Sequence, residues 1–330
     1  ATFCPHARRL INGDGTLLDA GRLVCHCLLI EGPRSLTLVD TGLGTFDIAN
    51  PRRTVGPAWM GAMRPRLDME ETALRRVRAL GFRIDDVSDI VLTHLDFDHA
   101  GGLRDFPRAR VHVWRDEHEA ATRAAGGGVL GGWKKRRYSP VQWAHGPAWQ
   151  FYEDDGESWF GFQGVRAVKG LGAEVLLVPL FGHSTGHCGV AVRTTEGWLL
   201  HAGDAYFHHR EIEPPAGRRV PAGVRAYENL YQAQRARRVA NRDRLRTLAA
   251  DSGARVTVVC AHDPEYLRRH VRSEAAGVEE GARPGFASVA SEAPEASGRP
   301  SAAGRDAEGG RAGGAARDEA AHARRDRTTQ

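Results

Sequence analysis

The sequence predicts one globular domain of helices and strands in layers, followed by a tail that does not fold. Three observations predict this class: a length of 330 residues with 41% hydrophobic content, a repeated pattern of short apolar runs that end in polar or glycine-rich turns, and a change of composition near Gly277. A chain of this length can bury a full hydrophobic core. The segment 277–330 has few large apolar residues, so burial cannot offset its ordering entropy. We therefore predict a folded domain over 1–276 and a disordered tail over 277–330.

The composition argues against several classes of protein. No run approaches the roughly 18 apolar residues of a membrane-spanning helix, and the first residues lack the apolar stretch of a secretory signal. We therefore expect a cytoplasmic protein with no membrane partner. The 5 cysteines include no C-x-x-C pair, which argues against a disulfide framework or a thiolate zinc site. A net charge of +5 is too small for this length to indicate a nucleic-acid partner.

Several predicted strands end in turns that carry unusual residues. The strands are Leu36–Val39, Ile90–Leu92, Val175–Val178, Trp198–Leu200 and Val256–Val259. Each is short and apolar, and each is followed by a polar, Gly or Pro residue, which is typical of a strand. Layered folds build their sites just beyond strand ends. The strand ends therefore indicate one shared site.

Two longer stretches have the periodicity of helices. Met69–Leu80 places apolar and basic residues largely on different faces and ends at Gly81. Ala226–Ala250 is predicted as one longer helix with six arginines between Arg235 and Arg246. We interpret these arginines as a solvated face, with a phosphate-binding stripe as the alternative.

The segment 120–165 is dense in aromatic residues within a glycine-rich and polar context. It contains four of the 7 tryptophans of the chain. Such a segment either forms a small satellite core or lines a pocket for an apolar substrate. The aromatic residues are Trp133, Trp143, Trp149, Tyr152, Trp159 and Phe160.

The segment 93–102 carries the strongest chemical signal in the chain. Its imidazoles and carboxylates are His94, Asp96, Asp98 and His99. Such a cluster is costly to bury without cations, because its negative charges and acceptors repel one another. His94 and Asp96 alternate along a loop and can face one ion, while Asp98 and His99 can face a second. Gly101 and Gly102 let the backbone approach closely. A solvated polar loop is the alternative interpretation.

One loop cannot complete a site for two metal ions, so we expect further ligands at later strand ends. The candidates are His183, Asp204 and His262, each just beyond a predicted strand. The predicted set places His94, Asp96 and His183 on one ion, Asp98, His99 and His262 on the other, and Asp204 on both. These donors suit two divalent ions, with zinc expected and manganese or iron as alternatives.

These motifs resemble the metallo-β-lactamase fold superfamily of metallohydrolases over about residues 24–265. The resemblance implies an α+β fold, a four-layer αββα sandwich with a dinuclear site at its edge. Activities in the family include hydrolysis of lactones, thioesters, β-lactams and phosphate esters, and the fold alone does not choose among them. The markers occur in family order and are Asp40-Thr41-Gly42, the His-x-x-x-Asp-His loop, Gly182–His187, Gly203-Asp204 and His262.

One position departs from the family pattern. The usual loop is His-x-His-x-Asp-His, and Asp96 stands where the second histidine is expected. The extra carboxylate makes the centre less positive and its ligands harder, which shifts the expected preference from zinc towards manganese or iron. A carboxylate here also resembles the iron-binding flavodiiron branch, but no segment after residue 276 fits the flavodoxin-type domain of that branch.

The leading hypothesis is a metal-dependent hydrolase, similar to the lactonase-like members, that uses a metal-bridging hydroxide to cleave a small, apolar ester or lactone. We expect Asp98 to orient the hydroxide and relay a proton, and Tyr206 to donate a hydrogen bond to the oxyanion or leaving oxygen. Asp40 is expected to be structural and His187 to brace its turn. The alternatives are an iron-dependent oxidative enzyme, suggested by Asp96, a nuclease, suggested by the arginines, and a scaffold with a vestigial site, which the near-complete ligand set disfavours.

Overall fold

The computed structural model describes residues 1–126, 137–153, 155–213, 219–251 and 255–269. The predicted tail, 277–330, and its boundary at residue 276 lie outside the described residues. Among the described residues, no helix is long and apolar enough to span a membrane.

Most strands belong to two sheets. The first sheet has the order β3 (Leu28–Glu31), β4 (Leu36–Val39), β5 (Val87–Val91), β6 (Arg110–Trp114) and β7 (Ala148–Tyr152). The second has the order β13 (Val256–Val259), β12 (Gly197–His201), β11 (Cys188–Thr194), β10 (Val175–Pro179), β9 (Phe162–Ala167) and β8 (Glu157–Trp159). The short strands β1 (Thr2–Phe3) and β2 (Leu23–Val24) pair with each other. Strands β4 to β7 run parallel, as do β12 and β13.

The two sheets pack face to face because apolar side chains alternate along their strands. In β10, Val175 and Leu177 point to the first sheet, where they share a buried cluster with Val39 and Val91. The next residue, Val178, points the other way, into a cluster with helical residues. This period of two is what a strand buried on both faces requires.

Helices cover the outer faces of both sheets. They are α1 (Arg8–Ile11), α2 (Thr45–Ala49), α3 (Pro51–Thr54), α4 (Pro57–Met63), α5 (Ala73–Ala79), α6 (Phe97–Ala100), α7 (Arg115–Gly126), α8 (Ala222–Tyr231) and α9 (Arg235–Ala250). Val77 of α5 packs against the first sheet, and Leu245 and Leu248 of α9 pack against the second. The layers are therefore helix, sheet, sheet and helix, which confirms the predicted αββα sandwich.

The helix predictions need two corrections. The stretch Met69–Leu80 begins with a 3-10 turn, because the Thr72 side chain accepts a hydrogen bond from Arg75 and caps a shorter helix, α5. The prediction of one continuous helix over Ala226–Ala250 is wrong, since the chain forms α8 and α9 instead. At the break, the N–H groups of Ala233 and Gln234 both donate to the carbonyl of Gly182. A tertiary contact has therefore replaced the intrahelical hydrogen bonds.

The arginines of α9 have mixed roles. Arg235, Arg237 and Arg244 are exposed, as expected for a solvated face. Arg238 is buried and pairs with Glu228 at 2.6 Å. Half of the predicted arginine face is thus confirmed as exposed, while Arg238 joins α8 to α9 and is unavailable to a phosphate.

The aromatic residues of 120–165 do not form one group. Trp143 and Trp149 pack on the outer face of the first sheet, Tyr152 lies between the sheets, and Trp159 packs on the outer face of the second sheet. Phe160 is 47% exposed, and residue 133 lies outside the described residues. The described aromatics are dispersed through three parts of the core, so neither a satellite core nor a single pocket wall is formed.

Candidate metal centre

The predicted ligands come together at one edge of the sandwich, where β4, β5, β10, β12 and β13 end. They form two buried sets in which one ligand atom per residue lies within 4.8 Å of those of the other members. We call His94, Asp96, His183 and Asp204 the first group, and Asp98, His99 and His262 the second group. The structure thus brings together all seven residues that the sequence analysis assigned to metal binding.

The Asp204 carboxylate lies between the two groups. Its Oδ2 is 3.8 Å from Nε2 of His94 and 3.4 Å from Nε2 of His183. Its Oδ1 is 3.3 Å from Nε2 of His99 and 3.1 Å from Nε2 of His262. Oδ2 also lies 3.2 Å from Nε2 of His262. The carboxylate therefore contacts histidines of both groups, which is the placement that a shared ligand requires.

The loop that carries four of the ligands is held against the end of β4. The hydroxyl and N–H of Thr41 both donate to the His99 carbonyl, each at 2.8 Å. A Cβ atom on Gly101 would lie 2.5 Å from the carbonyl oxygen of Gly42, so only glycine permits this approach. The close backbone approach predicted for this glycine pair is therefore confirmed at Gly101.

The hydrogen bonds of the second group leave imidazole nitrogens that fit a metal ion. Nδ1 of His99 donates to Asp40 at 2.8 Å, and Nδ1 of His262 donates to the Val24 carbonyl at 2.6 Å. These bonds assign the Nδ1–H tautomer to both rings when they are neutral, so both Nε2 atoms carry lone pairs. The two Nε2 atoms are only 3.4 Å apart. Facing lone pairs repel unless a cation binds near them, and a metal ion supplies that cation.

Buried polar atoms of the first group lead to the same conclusion. Among the described residues, Nε2 of His94 and Oδ1 of Asp204 are buried without a hydrogen-bond partner. Nδ1 of His94 lies 2.9 Å from the Thr93 hydroxyl, which in turn donates to Asp40. The free Nε2 therefore points into the first group. Leaving such atoms unpaired is costly, and metal coordination would satisfy them.

Electrostatic interactions reinforce the ionised forms. Burial opposes the charge of Asp204, but His262, His99 and His183 hold the pKa of this carboxylate well below its usual range. Burial also opposes protonation of His99, yet Asp204 and Asp40 raise its pKa well above the ordinary value. These carboxylates and imidazoles therefore form a buried network in which opposite charges stabilise one another.

Asp96 has a partner that sequence reasoning missed. Nε and Nη2 of Arg137 donate to the two oxygens of Asp96 at 2.6 and 2.7 Å. Burial opposes ionisation of Asp96, but Arg137 and His94 hold its pKa well below the usual range. Arg137 lies 41 residues from Asp96 in the chain. No local pattern links residues that far apart, so the sequence carries no signal for this pair.

The expected supporting residues are found in their predicted roles. Asp40 accepts hydrogen bonds from the N–H and hydroxyl of Thr93, as well as from His99. Nε2 of His187 accepts from the N–H of Asp204 at 2.9 Å, and its Nδ1 donates to the Leu180 carbonyl. His187 therefore braces the turn that carries the shared ligand.

Glu117 is a second supporting residue that the sequence analysis missed. Its carboxylate is buried on α7 and accepts from the N–H of Leu95 at 3.1 Å and the N–H of Gly186 at 3.0 Å. These bonds join the ligand loop after β5 to the ligand loop after β10. The only sequence signal is an acidic residue in the first turn of a helix, which is common without such a role.

Tyr206 does not face the metal centre. Its ring belongs to the core on the outer face of the second sheet, and its hydroxyl lies 2.8 Å from the Tyr266 hydroxyl. This placement does not support the predicted role of Tyr206 as a donor to substrate. The next residue, Phe207, stacks on His262 with ring centres 5.2 Å apart, and Tyr227 of α8 packs against Phe207. Tyr206 therefore points into the core while Phe207 points to the metal centre, an alternation that the sequence analysis did not anticipate.

A third set of possible ligands lies next to the second group. It consists of His208, His209 and Asp263, whose ligand atoms also lie within 4.8 Å of one another. Asp263 accepts from both the N–H and Nδ1 of His209, and Nδ1 of His208 accepts from the N–H of Arg210. These groups satisfy one another, so this set positions the loop beside His262 without requiring an ion.

Comparison with known proteins identifies the family. The pattern of the metallo-beta-lactamase superfamily matches residues 20–262. The probable metallo-hydrolase Rv2300c of Mycobacterium tuberculosis is 41% identical over 247 residues, covering 74% of this chain and 76% of that protein. The N-acyl homoserine lactonase AttM of Azorhizobium caulinodans is 30% identical over 244 residues, covering 72% of this chain and 81% of that protein.

Solved structures share the fold. An AiiA mutant of B. thuringiensis with N-decanoyl-L-homoserine at its active site superposes with a TM-score of 0.59 at 21% identity, over 82% of this chain and 93% of that chain. AidC, a dizinc quorum-quenching lactonase, superposes with a TM-score of 0.52 at 17% identity, over 78% of this chain and 79% of that chain. The chain therefore belongs to the metallo-beta-lactamase superfamily and is a metal-dependent hydrolase.

Proposed function

We propose that the protein is a dinuclear hydrolase of small esters or lactones. The observation that carries this proposal is the position of the Asp204 carboxylate, which lies 3.4 Å from Nε2 of His183 in the first group and 3.1 Å from Nε2 of His262 in the second. The first group would hold one ion, the second group the other, and Asp204 both. Zinc is the first ion to test, because imidazole and carboxylate ligands suit it and AidC is described as a dizinc enzyme.

Two divalent ions bound here would supply Lewis acidity and lower the pKa of a water molecule. Asp98 is the residue placed to move protons, since its carboxylate belongs to the second group and lies 3.8 Å from Nε2 of His262. It would accept the proton of the attacking water and return it to the leaving oxygen.

Tyr227 takes the role that the sequence analysis gave to Tyr206. Burial raises the pKa of its hydroxyl well above the usual value, and the carboxylates of Asp98, Asp204 and Asp96 raise it further. The hydroxyl therefore lies within electrostatic reach of both groups and stays protonated. Its hydroxyl makes no hydrogen bond to another described residue, which leaves it available to the oxyanion or leaving oxygen of a substrate.

A lactone with an apolar chain fits the surroundings of the centre. A continuous series of aromatic rings lies beside His262, formed by Phe207, Tyr227 and Tyr231, with ring centres 5.3 Å and 4.4 Å apart along the series. AttM is named an N-acyl homoserine lactonase and covers most of this chain at 30% identity. N-acyl homoserine lactones are therefore the first substrates to test. The oxidative alternative is less favoured, because Arg137 offsets the charge of Asp96 that suggested it. The nuclease alternative is less favoured, because the arginines of α9 form no single phosphate-binding stripe.

Elemental analysis followed by a substrate panel tests this proposal. Wild-type protein purified without added metal should contain two zinc or manganese ions per chain and hydrolyse lactones or esters. Asp204→Ala should lose both ions and the activity, because it removes the shared ligand. Bound iron with oxygen-dependent activity would favour the oxidative alternative. Metal retained by Asp204→Ala would contradict the bridging role of this carboxylate.

A further inference from the structure

Asp96 stands where the family's usual loop has its second histidine, and the pair that it forms with Arg137 distinguishes this centre. Nε and Nη2 of Arg137 donate to Oδ1 and Oδ2 of Asp96 at 2.6 and 2.7 Å. Each side chain is 10% exposed, so water screens the pair only weakly. The planar guanidinium matches both carboxylate oxygens at once, which a lysine could not do.

The other contacts of Asp96 define how it can meet a metal ion. Oδ2 lies 3.1 Å from Nε2 of His183 and 3.4 Å from Nε2 of His94, inside the first group. Oδ1 is directed to Nε of Arg137. The carboxylate thus offers one oxygen to the first group, as an imidazole offers one nitrogen.

Arg137 is itself fixed in place. Its Nη1 donates to the carbonyl of His183 at 3.1 Å and to the carbonyl of Tyr231 at 3.0 Å. These bonds tie the guanidinium to the loop of another first-group ligand and to the end of α8. Arg137 therefore cannot leave Asp96 without breaking contacts that also position His183.

We infer that Arg137 and Asp96 act together as a charge-neutral replacement for a histidine ligand. Arg137 offsets the extra negative charge and restricts Asp96 to one oxygen, so the centre keeps the net charge of a His-x-His-x-Asp-His centre and its preference for zinc. Arg137 is a positioning residue, because it acts through Asp96. The inference rests on the proposed metal centre and replaces the expectation, based on Asp96 alone, of a drift towards manganese or iron.

Metal affinities in a double-mutant cycle test the inference. Zinc and manganese affinities are measured by chelator competition for wild type, Arg137→Met, Asp96→His and the double variant. Arg137→Met frees the second oxygen of Asp96 for a harder ion, so the ratio of manganese to zinc affinity should rise at least about tenfold. Asp96→His leaves a buried cation beside the ion, so zinc affinity should fall at least about tenfold. Adding Arg137→Met should restore it to within about threefold of wild type.

Arg110→Met is the matched control. Arg110 forms the same kind of pair with buried Asp89, at 2.8 and 3.0 Å, outside both groups of ligands. Its loss should leave metal affinities unchanged. Thermal melting shows which variants fold. If Arg137→Met does not fold, Arg137→Gln is used in its place.

Two results would overturn the inference. One is an unchanged ratio of manganese to zinc affinity in Arg137→Met, and the other is wild-type zinc affinity in Asp96→His with Arg137 present. Because the readout is metal binding, a panel of lactones without turnover would reject the proposed substrate and leave the inference standing. A wild-type protein that binds no metal would reject both.

Discussion

The two halves of the metal centre are built in different ways. In the second group, fixed acceptors orient the imidazoles: the Asp40 carboxylate holds His99, and the Val24 carbonyl holds His262. In the first group, a carboxylate replaces one imidazole, and Arg137 supplies both its orientation and its charge balance. In the proposed centre, the second group therefore has imidazoles oriented by acceptors, whereas the first group contains an ion pair.

If Asp96 and Arg137 replace a histidine as we infer, a ligand position is specified by charge and direction rather than by residue type. A histidine meets both requirements with one hydrogen bond to its Nδ1. An aspartate in the same position needs a cation as well as a direction, and the guanidinium provides both. The halves converge on Asp204, whose oxygens face both groups.

Removal of the Tyr227 hydroxyl tests the role proposed for it, separates chemistry from metal binding and has the largest expected effect. Tyr227→Phe should lower kcat/KM for whichever lactone or ester is hydrolysed by roughly 10²-fold, because one donor to developing charge is lost. Metal content should not change. Tyr206→Phe is the control, since its hydroxyl bonds to Tyr266 in the core. Equal activity of Tyr227→Phe and wild type would remove Tyr227 from the mechanism.

Asp40→Asn should weaken the second group more than the first, because Asp40 contacts His99 directly and His94 only through Thr93. An asparagine offers one acceptor oxygen and no charge where the carboxylate offers two oxygens, so the hydrogen bond that keeps Nε2 of His99 free is weakened. We expect the affinity for one of the two ions to fall roughly 10- to 100-fold, as measured by chelator competition. Asp89→Asn is the comparison, because Asp89 accepts from His112 at 2.9 Å away from the centre. An equal loss of affinity for both ions would contradict the expected difference between the two groups.

Asp47 gives the smallest expected effect and contrasts with the carboxylates of the centre, because it is buried and accepts hydrogen bonds from Gly44 and Gln142 rather than from a histidine. Burial raises its pKa to about 6 from an ordinary 3.8. The folded state therefore holds a proton that the unfolded state releases, and the free energy of unfolding should fall as pH rises from about 4 to about 6, by about 2 kcal/mol. Asp47→Asn should remove this slope in denaturant titrations. A slope that persists would assign it to other groups.

The sequence alone was sufficient to predict that the seven candidate ligands meet at one edge, since each lies in a segment that follows a strand. The predicted strand Val256–Val259 is observed with the same bounds, and His262 follows it at the edge where the other strands end. A strand and its next few residues are local features, and parallel strands of one sheet end on the same side. The Gly101 approach and the roles of Asp40 and His187 follow from the same local reasoning.

Only the tertiary structure decided which distant side chains complete the centre. Arg137, Glu117 and Tyr227 reach it from segments far along the chain, and none belongs to a motif of fixed spacing. Tyr206 was misassigned because residues next to each other after a strand can point to opposite sides, and spacing does not state which. The break between α8 and α9 likewise depends on the Gly182 carbonyl, a partner about 50 residues away. Local geometry follows from neighbouring residues, whereas charge balance and direction depend on residues that only folding brings together.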